Sequence, residues 1–268
     1  MKFGTRALGL LLMIGLVDGC SMAKASPPDS SGPQVSKAPP AGFAVVELFT
    51  SEGCSSCPPA DELLSRLRDE HARDGTQVDV LAFHVDYWNE LGWVDPFSAE
   101  WATARQRVYA DILRERSVYT PQMIINGRDA FVGADRARAR QGIQAALRQV
   151  PAANLSLHIT SVGTNSVAME WDLSSTLRDD ILQLALVEPD TTSVVRAGEN
   201  AGRTLRHVNV VREFQSIRIA GTKHGTVTLR RPASLEGPFE VIGYVQDEQT
   251  MSVKAAAREM AKVSAGTR

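Results

Sequence analysis

Two cysteines three positions apart, Cys54 and Cys57, are the residues of this chain best suited to chemistry. Ser55 and Ser56 separate them, so the four residues form a C-x-x-C motif. Pairs at this spacing exchange disulfides: one thiolate attacks a disulfide bond, and the second cysteine resolves the mixed disulfide that results. We therefore predict thiol–disulfide exchange at this motif, with Cys54 as the attacking thiol and Cys57 as the resolving thiol.

The sequence on either side of the motif predicts a strand that leads directly into a helix. Residues 44–49 are a short, apolar, partly β-branched run, which is typical of a buried strand. After the motif come Pro58 and Pro59, and then leucines at helical spacing, namely Leu63, Leu64 and Leu67. A helix N-terminus stabilises a thiolate and lowers a cysteine pKa from about 8.5 into the range of about 3.5–7.5. Because Pro58 disfavours helical geometry at Cys57, we expect the helix to begin after the pair.

Three alternatives to exchange remain for the cysteine pair. A structural zinc site needs four ligands and the chain has only three cysteines, but a site of the two thiols with His84 or Asp86 stays open. A thiolate pair also suits Cu(I), so a copper or zinc carrier is a second alternative. The third is a non-catalytic envelope binding module with a fixed disulfide, although so short a loop gains little stability from its disulfide.

The first 25 residues have the pattern of a signal peptide. Lys2 and Arg6 precede an apolar run over 7–17, which is too short to span a bilayer because a spanning helix needs about 20 residues. Residues 26–41 are rich in proline and serine and indicate a tether. We therefore expect an exported protein, periplasmic or anchored to the outer membrane of a bacterium, where disulfides persist.

Two processing routes compete at the end of this signal. Residues 17–20 resemble a bacterial lipobox, which would make Cys20 a lipidated membrane anchor, although Asp18 departs from the usual residue there. Residues 23–25 form an A-x-A site, and cleavage after Ala25 would discard Cys20.

The composition excludes a general attraction to nucleic acid. The net charge of −2 and the isoelectric point near 6.2 provide no basic surface. Two groups of arginines have the spacing of solvated helix faces: Arg105, Arg107, Arg114 and Arg116, and then Arg136, Arg138 and Arg140. We expect no nucleic-acid partner.

The hydrophobic pattern divides the remaining chain into two domains. Residues 42–150 read as β-α-β-α-β-β-α, which resembles an α/β thioredoxin-like core. Residues 151–268 show short runs of period two, which predict an all-β sandwich-like domain. A C-terminal helix is expected within 253–263.

Several residues are predicted to lie around the cysteine pair. Pro121 precedes the third strand, and thioredoxin-like folds carry a cis-proline at that place. The backbone beside that proline, here at Thr120, pairs with the substrate chain. The alternative is a trans-proline at the start of an edge strand. Asp86 and Trp88 follow the second strand at the end that faces the ligand crevice. We expect Asp86 to accept a proton from Cys57 or to cap a turn, and Trp88 with Trp93 to line a substrate wall or the core.

Glu47 and the segment 196–209 each allow two interpretations. Glu47 lies inside an apolar strand, where a carboxylate is costly unless paired, so it is either the buried acid beneath the motif or a residue on an exposed edge. The polar segment 196–209 either folds over the motif, with Arg203 and His207 as substrate contacts, or is an ordinary solvated loop.

Longer stretches of the chain resemble the DUF1223 family, exported thioredoxin-like bacterial proteins. The matching stretches are residues 45–61, 84–88, 91–93, 95–97, 119–122 and 198–205. The resemblance implies a thioredoxin-like fold with a family-specific β extension, and it supplies no substrate. The predicted exchange chemistry itself implies no cofactor, and it implies as partners a protein thiol or disulfide substrate and a redox partner protein. Ser55-Ser56 departs from the Gly-Pro pair of reducing thioredoxins, so the direction of electron flow stays open.

Overall fold

The segment around the cysteine pair folds in the element order that its hydrophobic pattern predicts. In the computed structural model, which describes residues 42–177 and 179–261, the order from β1 to α3 is β-α-β-α-β-β-α. These elements are β1 (Phe43–Thr50), α1 (Pro58–Asp74), β2 (Gln77–His84), α2 (Glu100–Leu113), β3 (Gln122–Ile125), β4 (Asp129–Val132) and α3 (Arg136–Leu147). The predicted signal peptide, tether and Cys20 lie outside the described residues.

β1 is central because its side chains alternate between two buried faces. Ala44, Val46 and Leu48 pack on the face covered by α1 and α3, whereas Val45 and Phe49 pack on the face covered by α2. β2 pairs with β1 in parallel and β3 pairs with it antiparallel, so β1 is hydrogen-bonded on both sides. Helices therefore cover both faces of the sheet where β1 ends and the cysteine motif begins.

The second half of the chain contains seven further strands. They are β5 (Leu155–Val162), β6 (Ser166–Leu173), β7 (Asp180–Val194), β8 (Thr204–Arg218), β9 (His224–Arg230), β10 (Glu240–Asp247) and β11 (Val253–Met260). The helix predicted within 253–263 is wrong, because residues 253–260 are the strand β11, which pairs antiparallel with β10. Its alanines favour a helix in isolation, but pairing with a neighbouring strand overrides that local preference.

The two halves share one sheet, which corrects the expectation of a separate β-sandwich after residue 150. The eight-stranded sheet has the order β11-β10-β7-β8-β2-β1-β3-β4, and β8 meets β2 at Val210 and Ala82. A three-stranded sheet of β5, β6 and β9 packs on the outer part of the large sheet, burying Trp171 and Leu184 among other apolar residues. Sandwich-like packing is therefore local, and residues 42–261 form one compact unit.

A buried ion pair in the first half of the chain is hydrogen-bonded to side chains of the second half. Arg105 on α2 donates to both carboxylate oxygens of Glu47 on β1, at 2.6 and 2.9 Å. Arg105 also donates to the hydroxyls of Tyr109 and Tyr244 and to the side-chain oxygen of Gln246. Arg105 is 7% exposed, so the prediction that it lies on a solvated helix face is wrong. Within the described residues, no helix is long and apolar enough to cross a membrane.

Candidate functional site

Cys54 and Cys57 form a disulfide in the turn between β1 and α1. Neither cysteine is exposed to solvent, whereas Ser55 and Ser56 between them are exposed. The Ser56 hydroxyl lies 3.3 Å from the Cys54 sulfur, within hydrogen-bond distance. When the pair is reduced, this hydroxyl can donate to a thiolate at Cys54, which favours the charged form of that sulfur.

The helix α1 begins after the cysteine pair, as expected, but the backbone of Cys57 is helical, which was not expected. The helix begins at Pro58, after the pair, but Cys57 already has helical dihedral angles of −77° and −39°. Pro58 and Pro59 have no backbone N–H, and the N–H groups of Ala60 and Asp61 donate to the Cys57 carbonyl. The helix N-terminus therefore acts on the sulfurs through its dipole field and not through direct hydrogen bonds from these two N–H groups.

Trp88 connects the cysteine turn to the predicted proline loop. Its indole N–H donates to the Thr120 hydroxyl at 2.8 Å, and its Cβ would lie 3.2 Å from a Cβ added to Gly53. The Thr120–Pro121 bond is cis, the isomer predicted for this position. Pro121 is buried beside α1, because a Cβ added to Gly133 would meet both Pro121 and Ala60. Trp88, Thr120 and Pro121 are thus brought to the cysteine turn.

The segment between β7 and β8, residues 195–203, covers the cysteine turn, and we call it the cap segment. The Asn200 amide donates to the carbonyl oxygens of Glu52 and Cys54, at 2.8 and 2.9 Å. The Glu199 carboxylate accepts from the Ser55 N–H at 2.9 Å. Of the two interpretations of this region, the structure favours a segment folded over the motif.

Arg203 and Trp93 hold the cap segment in place. Arg203, itself exposed, donates to the Asn200 side-chain oxygen at 2.8 Å and so fixes the direction of the amide. The Trp93 indole N–H donates to the Glu52 carboxylate at 2.8 Å. The backbone of Gly198, which has a φ of +73°, approaches Trp93 so closely that a Cβ added to this glycine would lie 3.1 Å from the Trp93 Cβ. Trp93 therefore packs between the cysteine turn and the cap segment instead of forming an open wall for substrate.

A buried polar cluster lies beneath the cysteine turn. The Glu52 carboxylate accepts a hydrogen bond from Ser193 and lies 3.1 Å from His207 Nε2. Asp95 lies 2.7 Å from His84 Nδ1 and accepts the Glu52 backbone N–H at 2.8 Å. The imidazole rings of His84 and His207 are 4.7 Å apart between centroids. The two halves of the chain therefore build this cluster jointly.

Three buried carboxyl groups near the cluster differ in acidity. Burial raises the pKa of Glu52, but hydrogen bonds from His207, Ser193 and Trp93 outweigh it and hold the pKa below its usual value. Burial likewise opposes ionisation of Asp95, but His84 holds that pKa low. In contrast, burial raises the pKa of Asp61 to about 6. Asp61 is thus the carboxyl group of the three that is suited to exchange a proton near neutral pH.

Three predicted site residues are not placed as expected. Glu47 points to the face of the sheet opposite α1 and is held by Arg105, so it cannot be the acid beneath the motif. Asp86 accepts from the Thr103 hydroxyl of α2 at 2.5 Å, and this bond differs from the turn cap that the alternative predicted. His207 is 2% exposed beneath the turn, so direct contact with substrate is excluded in this conformation.

Asp61 and Asn200 belong to the site although sequence reasoning did not select them. Asp61 was visible only as an acidic residue in the first turn of α1, a common position for helix capping charges. Asn200 lies in a polar segment 146 positions from Cys54, and no periodic pattern marks it. Within the part of the chain that the structure describes, no group of His, Cys, Asp and Glu residues is arranged to hold a metal ion.

Comparisons with known proteins identify the family. Residues 45–246 match the model of DUF1223, described as a protein of unknown function. The crystal structure of protein AGR_C_4864 from Agrobacterium tumefaciens is 29% identical, with a TM-score of 0.64 over 85% of this chain and 98% of that chain. A domain of the outer membrane lipoprotein Omp28 from Porphyromonas gingivalis is 16% identical, with a TM-score of 0.23 over 41% of this chain and 88% of that chain. No curated protein matches the chain. The family match spans most of the chain, which therefore belongs to the DUF1223 family.

Proposed function

We propose that this protein is an exported thiol–disulfide oxidoreductase with a thioredoxin-like core, acting on protein thiols or disulfides through Cys54 and Cys57. The observation that carries the proposal is the Cys54–Cys57 disulfide at the junction of a central strand and a helix N-terminus. The Ser56 hydroxyl at the Cys54 sulfur favours Cys54 as the attacking thiolate. Export follows from the signal-peptide pattern of residues 1–25.

The exchange runs in two steps that conserve atoms and electrons. The Cys54 thiolate attacks a substrate disulfide, one substrate sulfur bonds to Cys54, and the other leaves as a thiolate. The Cys57 thiolate then attacks the Cys54 sulfur, the intramolecular disulfide forms, and the second substrate thiolate leaves. Two electrons pass from the protein to the substrate, and the reverse sequence oxidises a substrate dithiol. A redox partner protein supplies or removes the electrons.

Thr120 and Pro121 are the proposed contacts for the substrate backbone. Trp88 holds the Thr120 hydroxyl, so a substrate chain that pairs here meets a loop already fixed beside Cys54. The cap segment lies on the same turn, and its Arg203 is exposed. Arg203 binds the side chain of Asn200, whose amide holds the cysteine turn. We propose that Arg203 contacts substrate when the cap segment moves away from that turn.

A fixed disulfide in an envelope binding module is the second candidate, and the burial of both sulfurs favours it. Neither cysteine is exposed, and the Asn200 and Glu199 contacts hold the turn closed. Under this alternative the disulfide only fastens the turn. The protein would then tolerate Cys54→Ser without losing its binding surface.

Equilibration of the purified protein with glutathione, followed by thiol trapping, decides between the two. If the protein exchanges disulfides, glutathione mixtures should reduce the Cys54–Cys57 pair. A reduction potential above about −200 mV would indicate an oxidant or isomerase, and one of about −270 mV a reductant. Cys54→Ser and Cys57→Ser serve as the matched pair: Cys57→Ser should accumulate mixed disulfides and Cys54→Ser should not. A pair that stays oxidised throughout, with neither thiol alkylated, would refute exchange and favour the fixed disulfide.

A further inference from the structure

Four buried polar atoms near the base of the cysteine turn have no hydrogen-bond partner among the described residues. They are the Thr50 hydroxyl, one Asp61 carboxyl oxygen, His84 Nε2 and His207 Nδ1. Thr50 and His84 are directly paired on β1 and β2, and His84 contacts His207 ring to ring. Because a buried polar atom without a partner is costly, such a group of them points to a use other than stability.

Asp61 is the member of this group that lies one helical turn after Cys57. Its backbone N–H donates to the Cys57 carbonyl at 3.1 Å, the bond of one helical turn. Residues four apart on a helix have Cβ atoms about 5–6 Å from each other, and helical side chains lean toward the N-terminus. The Asp61 carboxyl therefore leans toward Cys57.

Asp61 also has a route to solvent. It lines a surface pocket of about 240 Å³, together with Pro58, Ser65, Arg203 and Arg206. One carboxyl oxygen is buried without a partner, while the residue as a whole borders this pocket. A proton taken up by Asp61 can thus leave to water without crossing the cysteine turn.

We propose that Asp61 is the catalytic base that takes the proton of Cys57 during disulfide exchange. This rests on the proposed exchange function. The Cys57 thiol gives its proton to the Asp61 carboxylate, the thiolate forms the bond to the Cys54 sulfur, and the substrate leaves as a thiolate. When the disulfide is opened in the reverse direction, Asp61 returns the proton to Cys57.

The electrostatic surroundings of Asp61 agree with this role. Burial is the main cause of its raised pKa, His207 opposes the rise, and Asp95 and Glu52 add to it. Glu62 follows it on α1, and Arg203 and Arg206 border the same pocket. A base that is about half ionised near pH 6 can both accept and return a proton at neutral pH.

The test isolates the step in which Cys57 attacks. The reduced protein is mixed with an aromatic disulfide whose thiolate absorbs visible light, so attack by Cys54 releases one aromatic thiolate and resolution by Cys57 releases the second. In the wild type, we expect the rate of the second release to change with a midpoint near pH 6. In Asp61→Asn, we expect this rate to fall by at least about tenfold at pH 7 and to lose that midpoint.

Two further variants complete the test. Asp74→Asn is the matched control, because it makes the same change at the exposed end of α1, and its second release should follow the wild type. His207→Gln should move the midpoint to higher pH while both releases still occur, because His207 lowers the pKa of Asp61. An unchanged midpoint would count against Asp61 as the group whose ionisation sets the rate of the second release.

The outcomes separate this inference from the function on which it rests. If the wild type releases one aromatic thiolate and never the second, exchange itself is refuted and the role of Asp61 with it. If both are released and Asp61→Asn matches the wild type, only the role of Asp61 is refuted. If Asp61→Asn does not fold, the wild-type profile decides: a midpoint near that of an ordinary thiol, about 8.5, overturns the proposal.

Discussion

Replacing Asp61 with asparagine should stabilise the protein at neutral and alkaline pH, by an amount that depends on pH. Asp61 is 7% exposed, and burial, opposed by His207, raises its pKa from 3.8 to about 6. In the unfolded chain the carboxyl returns to its ordinary pKa. Because the pKa is higher in the folded state, the contribution of Asp61 to stability is complete below pH 3.8 and is lost as pH rises through about 6.

The size of the effect follows from the difference between the two pKa values. Values of 3.8 and about 6 correspond to a loss of about 3 kcal/mol once the carboxyl is ionised in both states. The same relation gives a loss of less than about 1 kcal/mol at pH 4, so most of the loss develops between pH 4 and pH 8. Asparagine has nearly the same shape and does not ionise. The stability of Asp61→Asn relative to the wild type should therefore increase by about 2 kcal/mol over this range.

Urea unfolding of the oxidised proteins at several pH values measures this difference. Glu52 and Asp95 are present in both proteins, so their own pH-dependent contributions largely cancel. Asp74→Asn, the same change at the exposed end of α1, is the matched control and should change the stability far less, because water solvates Asp74 in the folded and unfolded states. A stability difference between Asp61→Asn and the wild type that stays constant from pH 4 to pH 8 would refute the argument that burial raises this pKa.

Three other substitutions test the contacts around the site. Asn200→Ala removes the hydrogen bond to the Cys54 carbonyl, so a small thiol should reduce the disulfide several-fold faster. Alkylation of the freed thiols measures this rate, and an unchanged rate would show that the cap segment does not limit access to the disulfide. Arg105→Met leaves Glu47 buried without its partner and should cost about 3–5 kcal/mol in urea unfolding. Replacing both residues of the pair by Met should recover most of that loss, and a double variant as unstable as the single one would contradict this explanation. Ser56→Ala should raise the pKa of the reduced Cys54 thiol by about one pH unit, seen in the pH profile of its alkylation, and an unchanged profile would exclude the hydroxyl as a donor.

Local sequence patterns were sufficient for the order of elements from β1 to α3 and for the cysteine turn. The apolar run of β1, the leucines of α1 and the Asn126-Gly127 turn between β3 and β4 are short-range signals, and each element forms where they predict it. The positions of Trp88, Thr120 and Pro121 beside the turn followed from the expected order of strands. These signals succeed because each element buries residues that are close in sequence.

Long-range pairing is the part that the sequence did not reveal. Val210 lies beside Ala82 in the large sheet, and no periodicity in either strand specifies that neighbour. The burial of Arg105 follows from Glu47, 58 positions away, and not from the spacing of arginines on α2. His207 is drawn beneath the turn by Glu52, 155 positions away. Local propensity also failed at β11, where the energy of strand pairing exceeds a weak preference for helix.

The place of β8 beside β2 limits how this protein can be recombined or divided. A fragment that ended near residue 150 would leave the outer edge of β2 without its neighbour, and an open strand edge favours aggregation. It would also remove Tyr244 and Gln246 from Arg105. The cysteine turn therefore does not belong to a segment that folds by itself, and exchange of segments between relatives has to carry residues 42–261 together.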